Sequence, residues 1–164
     1  MCVSEIAGRM IAYSRGNLHD IDHFLKVYAY ARTIGVSEGL PEETETVLEI
    51  AALLHDIACP LCREKYGSTN GKYQEREGGP LAADFLRGCG LSRPMADRVV
   101  YLVAHHHTPD GADGPDYQIL LEADYLVNAG ESGWSKEAIR HARESLFRTE
   151  SGTALLESIY LRDE

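Results

Sequence analysis

The sequence predicts an all-α helical bundle, and three observations carry that prediction. Apolar residues recur at spacings of three and four along most of the chain, Gly, Pro and Asn punctuation separates those stretches, and no alternating run of strand length occurs. Residues 3 to 14 read as a first helix, closed by Gly16 and Asn17. From Asp20 to Glu38, the series Phe24, Val27, Ala31 and Ile34 marks an amphipathic helix that Gly39 stops. Pro41 suits a first helical turn, Glu42, Glu43 and Glu45 suit its positive end, and Val47, Leu48, Ala51, Leu54 and Ala58 give a buried face up to Pro60. Residues 61 to 79 hold Gly67, Gly71, Gly78 and Gly79 and read as an ordered loop with at most a short helix. Further helices are expected at 81–87, 94–107, 117–128 and 135–161, the last broken near Gly152.

With 164 residues and 44% hydrophobic content the chain is expected to form one domain, with its core at residues 17–130 and C-terminal helices at 134–161 packing on it. Trp134, Ala154, Leu155, Leu156, Ile159, Tyr160 and Leu161 either close that core or form a homodimer contact. A net charge of -10, with only 16 Lys and Arg, argues against a duplex nucleic-acid partner and leaves a small phosphorylated ligand held by a local field. No apolar run approaches the ~18 residues of a membrane span, and Met1 to Tyr13 lacks the pattern of a signal peptide, so a cytoplasmic protein is expected. Cys2, Cys59, Cys62 and Cys89 are too irregular for a disulfide framework. Cys59 and Cys62 have CxxC spacing but no second pair, so they read as reduced thiols.

Chemistry concentrates in His23, the adjacent pair His55-Asp56, and Asp124. Neighbouring residues on a helix point about 100° apart, so His55 and Asp56 serve one ion only where a cavity wraps the helix end. A carboxylate following Ala51, Ala52, Leu53 and Leu54 needs compensation, and a divalent cation supplies it. Asp124 lies in an apolar helix whose other charge is Glu122, and the two together also read as a solvated face. Two imidazoles and two carboxylates suit Mn, Fe, Co, Ni, Zn or Mg without choosing among them.

The spaced set H…HD…D, over residues 17 to 130, resembles the HD-domain superfamily of metal-dependent phosphohydrolases. The resemblance implies His23, His55, Asp56 and Asp124 as ligands of one or two divalent metals, and hydrolysis of a nucleotide or other phosphate ester by a metal-bound hydroxide, with Asp56 catalytic. Some members carry two additional histidines. Glu77 stands near the place of the first, as a ligand or as a catalytic base, and the run His105-His106-His107 near the second, His105 being preferred as ligand and His106 next. The stretch from His105 to Gly111 is similar to the start of the HD-GYP phosphodiesterase motif, but the Gly-Tyr-Pro that should follow is absent and that specificity is rejected.

The loop holding Lys65, Tyr66, Gly67 and Gly71, Lys72, Tyr73, Gln74 is similar to a KYG…GKYQExEG loop of small uncharacterised HD proteins. Lys65, Lys72 and Tyr73 are its candidates for substrate binding, by cation and by stacking. Ala58 and Cys59 replace residues that follow the HD pair in many members, which puts an acid or base from that turn in doubt and leaves Glu77 or Asp20 as alternatives. The expected function is phosphohydrolysis. The alternatives are a di-iron oxygenase of the inositol-oxygenase type and a metal or nucleotide sensor without turnover.

Overall fold

A computed structural model describes residues 2–163, which form nine α-helices and one 3₁₀ turn with no strand among them. The helices are α1 Val3–Tyr13, α2 Leu18–Glu38, α3 Glu42–Leu54, α4 Cys59–Tyr66, α5 Gly71–Leu86, α6 Arg93–His105, α7 Pro115–Ser132, α8 Lys136–Ser145 and α9 Glu150–Tyr160, with the 3₁₀ turn at Pro109–Gly111. The all-α bundle that the periodicity predicts is the observed architecture. No helix of the described residues is long and apolar enough to cross a membrane.

α3 is the central element, with α1, α2, α6 and α7 packed around it. Every residue from Val47 to Leu54 is buried, so its sequence reads as an unbroken apolar run apart from Glu49. Glu49 is tolerated because Arg32 of α2 reaches its carboxylate from the surface. Glu45, one turn earlier, has no such partner: both carboxylate oxygens are buried without a hydrogen bond, nested where a Cβ on Gly35 would clash. Burial first, and the charge of Glu49 second, push its pKa up to about 7 against the opposing charge of Arg32. The folded protein therefore holds this proton where the unfolded chain has lost it, and stability falls as pH rises from about 4.5 to about 7. Glu45→Gln is expected to melt at the same temperature as wild type at pH 4 and higher at pH 8. A Glu45→Gln protein less stable at pH 8 would contradict this reading.

Several sequence expectations need correction. Residues 61–79 are helical apart from 67–70, because Gly67 (φ 63°) closes α4 and the Asn70 side chain caps α5 by accepting from Lys72 N at 3.0 Å. Gly78 and Gly79 are interior positions of α5 that let it approach α6 closely. A Cβ on Gly78 would stand 3.2 Å from Val103 Cγ1, and one on Gly79 3.3 Å from Ala104 Cβ. Pro60 likewise ends nothing. α3 stops at Leu54, residues 55–58 form a tight turn, and Pro60 lies in the first turn of α4.

The C-terminal break falls at Leu146 to Thr149 and not at Gly152, which sits inside α9. Thr149 caps α9 through its hydroxyl, accepting from Gly152 N at 3.0 Å. The fully buried Glu122 of α7 accepts from Arg148 N, Thr149 N, Thr149 Oγ1 and Gln118 Nε2 at 2.7, 3.0, 2.5 and 2.8 Å. The solvated-face reading of Glu122 is therefore overturned. Leu156 and Leu161 bury into the common core, while Trp134 and Ile159 are about 41% exposed.

Candidate metal centre

α2 is capped by Asn17, whose side chain accepts from Asp20 N at 3.2 Å, and this start sets the phase that turns His23 inward with Phe24 and Val27. α7 packs along α2 and presents Asp124, Asn128 and Glu131, spaced by four and three residues, as one stripe. His55 and Asp56 occupy the turn after α3, and His106 follows the last residue of α6. Four separate elements thus converge at one point.

Each of the three inward imidazoles has its Nδ1 committed. His55 Nδ1 donates to Ala52 O at 2.7 Å, His106 Nδ1 to Val103 O at 2.9 Å, and His23 Nδ1 to Glu131 Oε2 at 2.9 Å. A carbonyl or carboxylate oxygen can only accept, so in the neutral rings the lone pair is on Nε2. Those Nε2 atoms meet: His23 and His55 are 3.1 Å apart. Asp124 Oδ1 lies 3.2 Å from His23 Nε2 and 3.4 Å from His55 Nε2. Asp56 Oδ2 lies 3.3 and 3.4 Å from the same two atoms, while its Oδ1 lies 3.5 Å from His106 Nε2. His106 Nε2 is buried and has no hydrogen-bond partner.

Two lone pairs facing at 3.1 Å and an orphaned imidazole nitrogen, among partly buried carboxylates, require a proton or a cation between them. Without a metal, protons serve. Burial disfavours charge on His55, but Asp56 and Asp124 outweigh it and hold its pKa well above the ordinary imidazole value. Burial also opposes ionisation of Asp124, and the hydrogen bonds from His23 and His55 outweigh it, keeping the carboxyl below the usual aspartate range. The donor set fits a divalent cation. His23, His55 and Asp56 form one candidate ligand group, Asp56, His106 and His107 a second, and Asp56 is common to both. A cavity of about 180 Å³ reaches Asp56 and Asp124 and is also bounded by Arg63, Thr69, Gln74 and His107.

The structure therefore brings His23, His55, Asp56, Asp124 and His106 together and leaves other expected residues outside. His105 turns away, its Nδ1 bonded to Tyr101 O at 2.7 Å and its ring stacked on Tyr101. Glu77 points toward α4, accepting from Lys65 Nζ at 2.7 Å and Tyr66 Oη at 2.6 Å, and that pairing also occupies Lys65. Tyr73 stacks on Tyr66 with centroids 4.0 Å apart, and Lys72 is exposed in the first turn of α5. Asp20 is paired with Arg63.

Several side chains at the site went unread in the sequence, Gln74, Arg63 and Glu131 among them. Gln74 lines the cavity, Arg63 bounds it, and Glu131 orients His23. Glu131 is a carboxylate behind a histidine, an arrangement that fixes the ring and raises its basicity. Glu131→Ala is expected to weaken divalent-metal affinity about 10- to 100-fold while Glu131→Gln, which keeps an acceptor, loses less. Isothermal titration with Mn²⁺ measures both, and an unchanged affinity in the alanine variant would remove Glu131 from the site.

Comparison with known proteins gives the family and the fold. The model of the HD domain family matches residues 20–129. The fold is shared with the crystal structure of a predicted HD superfamily hydrolase from an uncultured Thermotogales bacterium, at 24% identity and a TM-score of 0.68, over 98% of this chain and 84% of that one. No curated protein matches significantly. The matched residues span α2 to α7, the segment that holds His23, His55, Asp56, His106 and Asp124, and the chain belongs to the HD domain family.

Proposed function

We propose that this protein is a metal-dependent phosphohydrolase acting on a nucleotide or another small phosphorylated metabolite. The observation that carries the reading is Asp56, which offers one carboxylate oxygen to the His23 and His55 side and the other to His106. Such a shared carboxylate suits one ion or an adjacent pair. A bound divalent ion supplies Lewis acidity, lowering the pKa of water and neutralising charge that grows on phosphoryl oxygens. The hydrolase description of the Thermotogales relative supports the same reaction class.

The chain's own residues have separable tasks. Asp56 and Asp124 provide the negative charge that holds the ion, and the Nε2 atoms of His23, His55 and His106 provide neutral donors whose tautomers are fixed from behind. Ala52 O, Val103 O and Glu131 keep those rings from rotating, so ligand positions are set before any substrate arrives. Glu77 takes no part in this scheme, because Lys65 and Tyr66 hold its carboxylate elsewhere.

The test is phosphate release by the Mn²⁺-reconstituted protein from a panel of nucleoside monophosphates and sugar phosphates. Release that chelation abolishes and Mn²⁺ restores is the expected result. Nucleotide binding without any phosphate release over prolonged incubation would overturn the hydrolase in favour of a sensor.

A further inference from the structure

A second, larger cavity adjoins the metal site. It has a volume of about 540 Å³ and is lined by Ala12, Tyr13, Asn17, Pro60, Leu61 and Leu81 among others. Asp20 and Arg63 bound both cavities. Their ion pair is a two-pronged contact, Arg63 Nη1 to Asp20 Oδ2 at 2.8 Å and Nη2 to Oδ1 at 2.5 Å, so it forms the partition between metal site and groove. Arg63 is about 42% exposed and Asp20 about 14%, which leaves the guanidinium as the accessible member.

The volumes divide the substrate between the two spaces. Pockets that take whole small molecules run from about 300 to 1,000 Å³. The metal cavity, at about 180 Å³, falls below that range and must also admit the ion, whereas the groove lies inside it. The groove is also shaped for a ring. Tyr13 is fixed by its hydroxyl, which donates to Ile57 O at 3.3 Å, and by an edge contact with Phe85, so its ring cannot swing aside. Pro60, Leu61 and Leu81 add apolar surface, and Asn17 and Glu64 offer polar edges.

Resting on the phosphohydrolase reading, we infer that Arg63 is the substrate-positioning residue and that the groove holds the leaving group, making the substrate a phosphate monoester with a ring-bearing body of nucleoside size. Arg63 exchanges its fork on Asp20 for two phosphoryl oxygens, a like-for-like replacement of one planar carboxylate by another oxyanion pair. The phosphorus then faces Asp56 and Asp124, and the body extends past Arg63 over Tyr13. In turnover the oxygen of water bonds to phosphorus as the phosphorus–oxygen bond to the body breaks. The released alcohol takes one proton from that water and leaves through the groove, and binding energy from the body orients the reacting end.

The test measures binding and turnover separately on the Mn²⁺-loaded protein, using the four ribonucleoside 5′-monophosphates and inorganic phosphate as probes. At least one nucleotide is expected to bind about tenfold or more tighter than phosphate. Ala12→Trp fills the groove from an exposed helix face, so folding is not at stake, and Leu81→Trp fills it from the opposite helix. Each is expected to lower nucleotide affinity about tenfold and leave phosphate affinity unchanged. Arg63→Ala should weaken both probes, and Arg63→Lys should restore part of the loss.

Nucleotide affinity indifferent to both tryptophans, or to Arg63→Ala, would overturn the inference. If phosphate is released at wild-type rates by the tryptophan variants, the groove assignment fails and the hydrolase stands. If groove-dependent nucleotide binding occurs with no release, the groove stands and the hydrolase fails.

Discussion

Asp56→Ala is expected to empty the centre of metal and to lower phosphate release by about three orders of magnitude, the scale seen when a group that meets transition-state charge is removed. Asp56 is the one residue common to both candidate ligand groups, so its loss leaves neither with a complete set. It also takes from His106 its carboxylate neighbour at 3.5 Å and leaves His23 and His55 with Asp124 alone. His106→Ala is a milder change, because His23, His55, Asp56 and Asp124 remain as one intact group. Metal analysis beside a phosphate assay distinguishes the two variants. Retention of metal and activity by Asp56→Ala would place the chemistry elsewhere.

Glu122→Ala is expected to destabilise the fold by about 3–5 kcal/mol, with metal binding retained. The carboxylate is fully buried and accepts four hydrogen bonds, two of them from the backbone at the start of α9. Alanine takes the acceptor from these part-buried donors, Gln118 alone keeping a second one in Leu146 O, and a buried donor left unpaired costs about 1–3 kcal/mol. Glu122→Gln keeps the shape and one acceptor oxygen, and a smaller loss is expected. Urea unfolding gives both numbers. A Glu122→Ala protein within about 1 kcal/mol of wild type would mean that α9 finds other partners.

The helices were legible because the apolar spacing is regular, and the residues of α2, α7 and the turn after α3 that converge at the candidate metal centre were singled out because a charge in an apolar run demands a partner. The other readings failed for identifiable reasons. His106 continues the stripe of Val99, Leu102 and Val103, so helical periodicity points to it, whereas spacing borrowed from relatives points to His105. Glu77 looked suitable because it stands near the place of the first additional histidine of some relatives, in a stretch that reads as a loop. Once that stretch is helical, Gln74, Gly78 and Ala82 form the buried face, and Glu77 falls off it toward Lys65. The glycines responsible for the misreading serve close packing of α5 on α6, which sequence alone does not distinguish from a turn.

Glu122 and Asp124 are the same lesson in a short space. Two residues apart on a helix they point about 200° from each other, so they cannot share a solvated face. Each has its own buried task, one anchoring α9 and one facing His23 and His55. Glu131 escaped notice because it lies beyond the apolar core of α7, seven residues after Asp124, in a stretch ended by Gly133.

Metal held by His23, His55, Asp56, Asp124 and His106, with Glu77 outside the set, is what the proposed hydrolysis rests on. Elemental analysis of Mn²⁺-reconstituted wild type, His106→Ala and Glu77→Ala tests it most directly. Bound metal is expected in wild type, with a reduced content in His106→Ala and the wild-type content in Glu77→Ala. Metal lost in Glu77→Ala and unaffected in His106→Ala would contradict it.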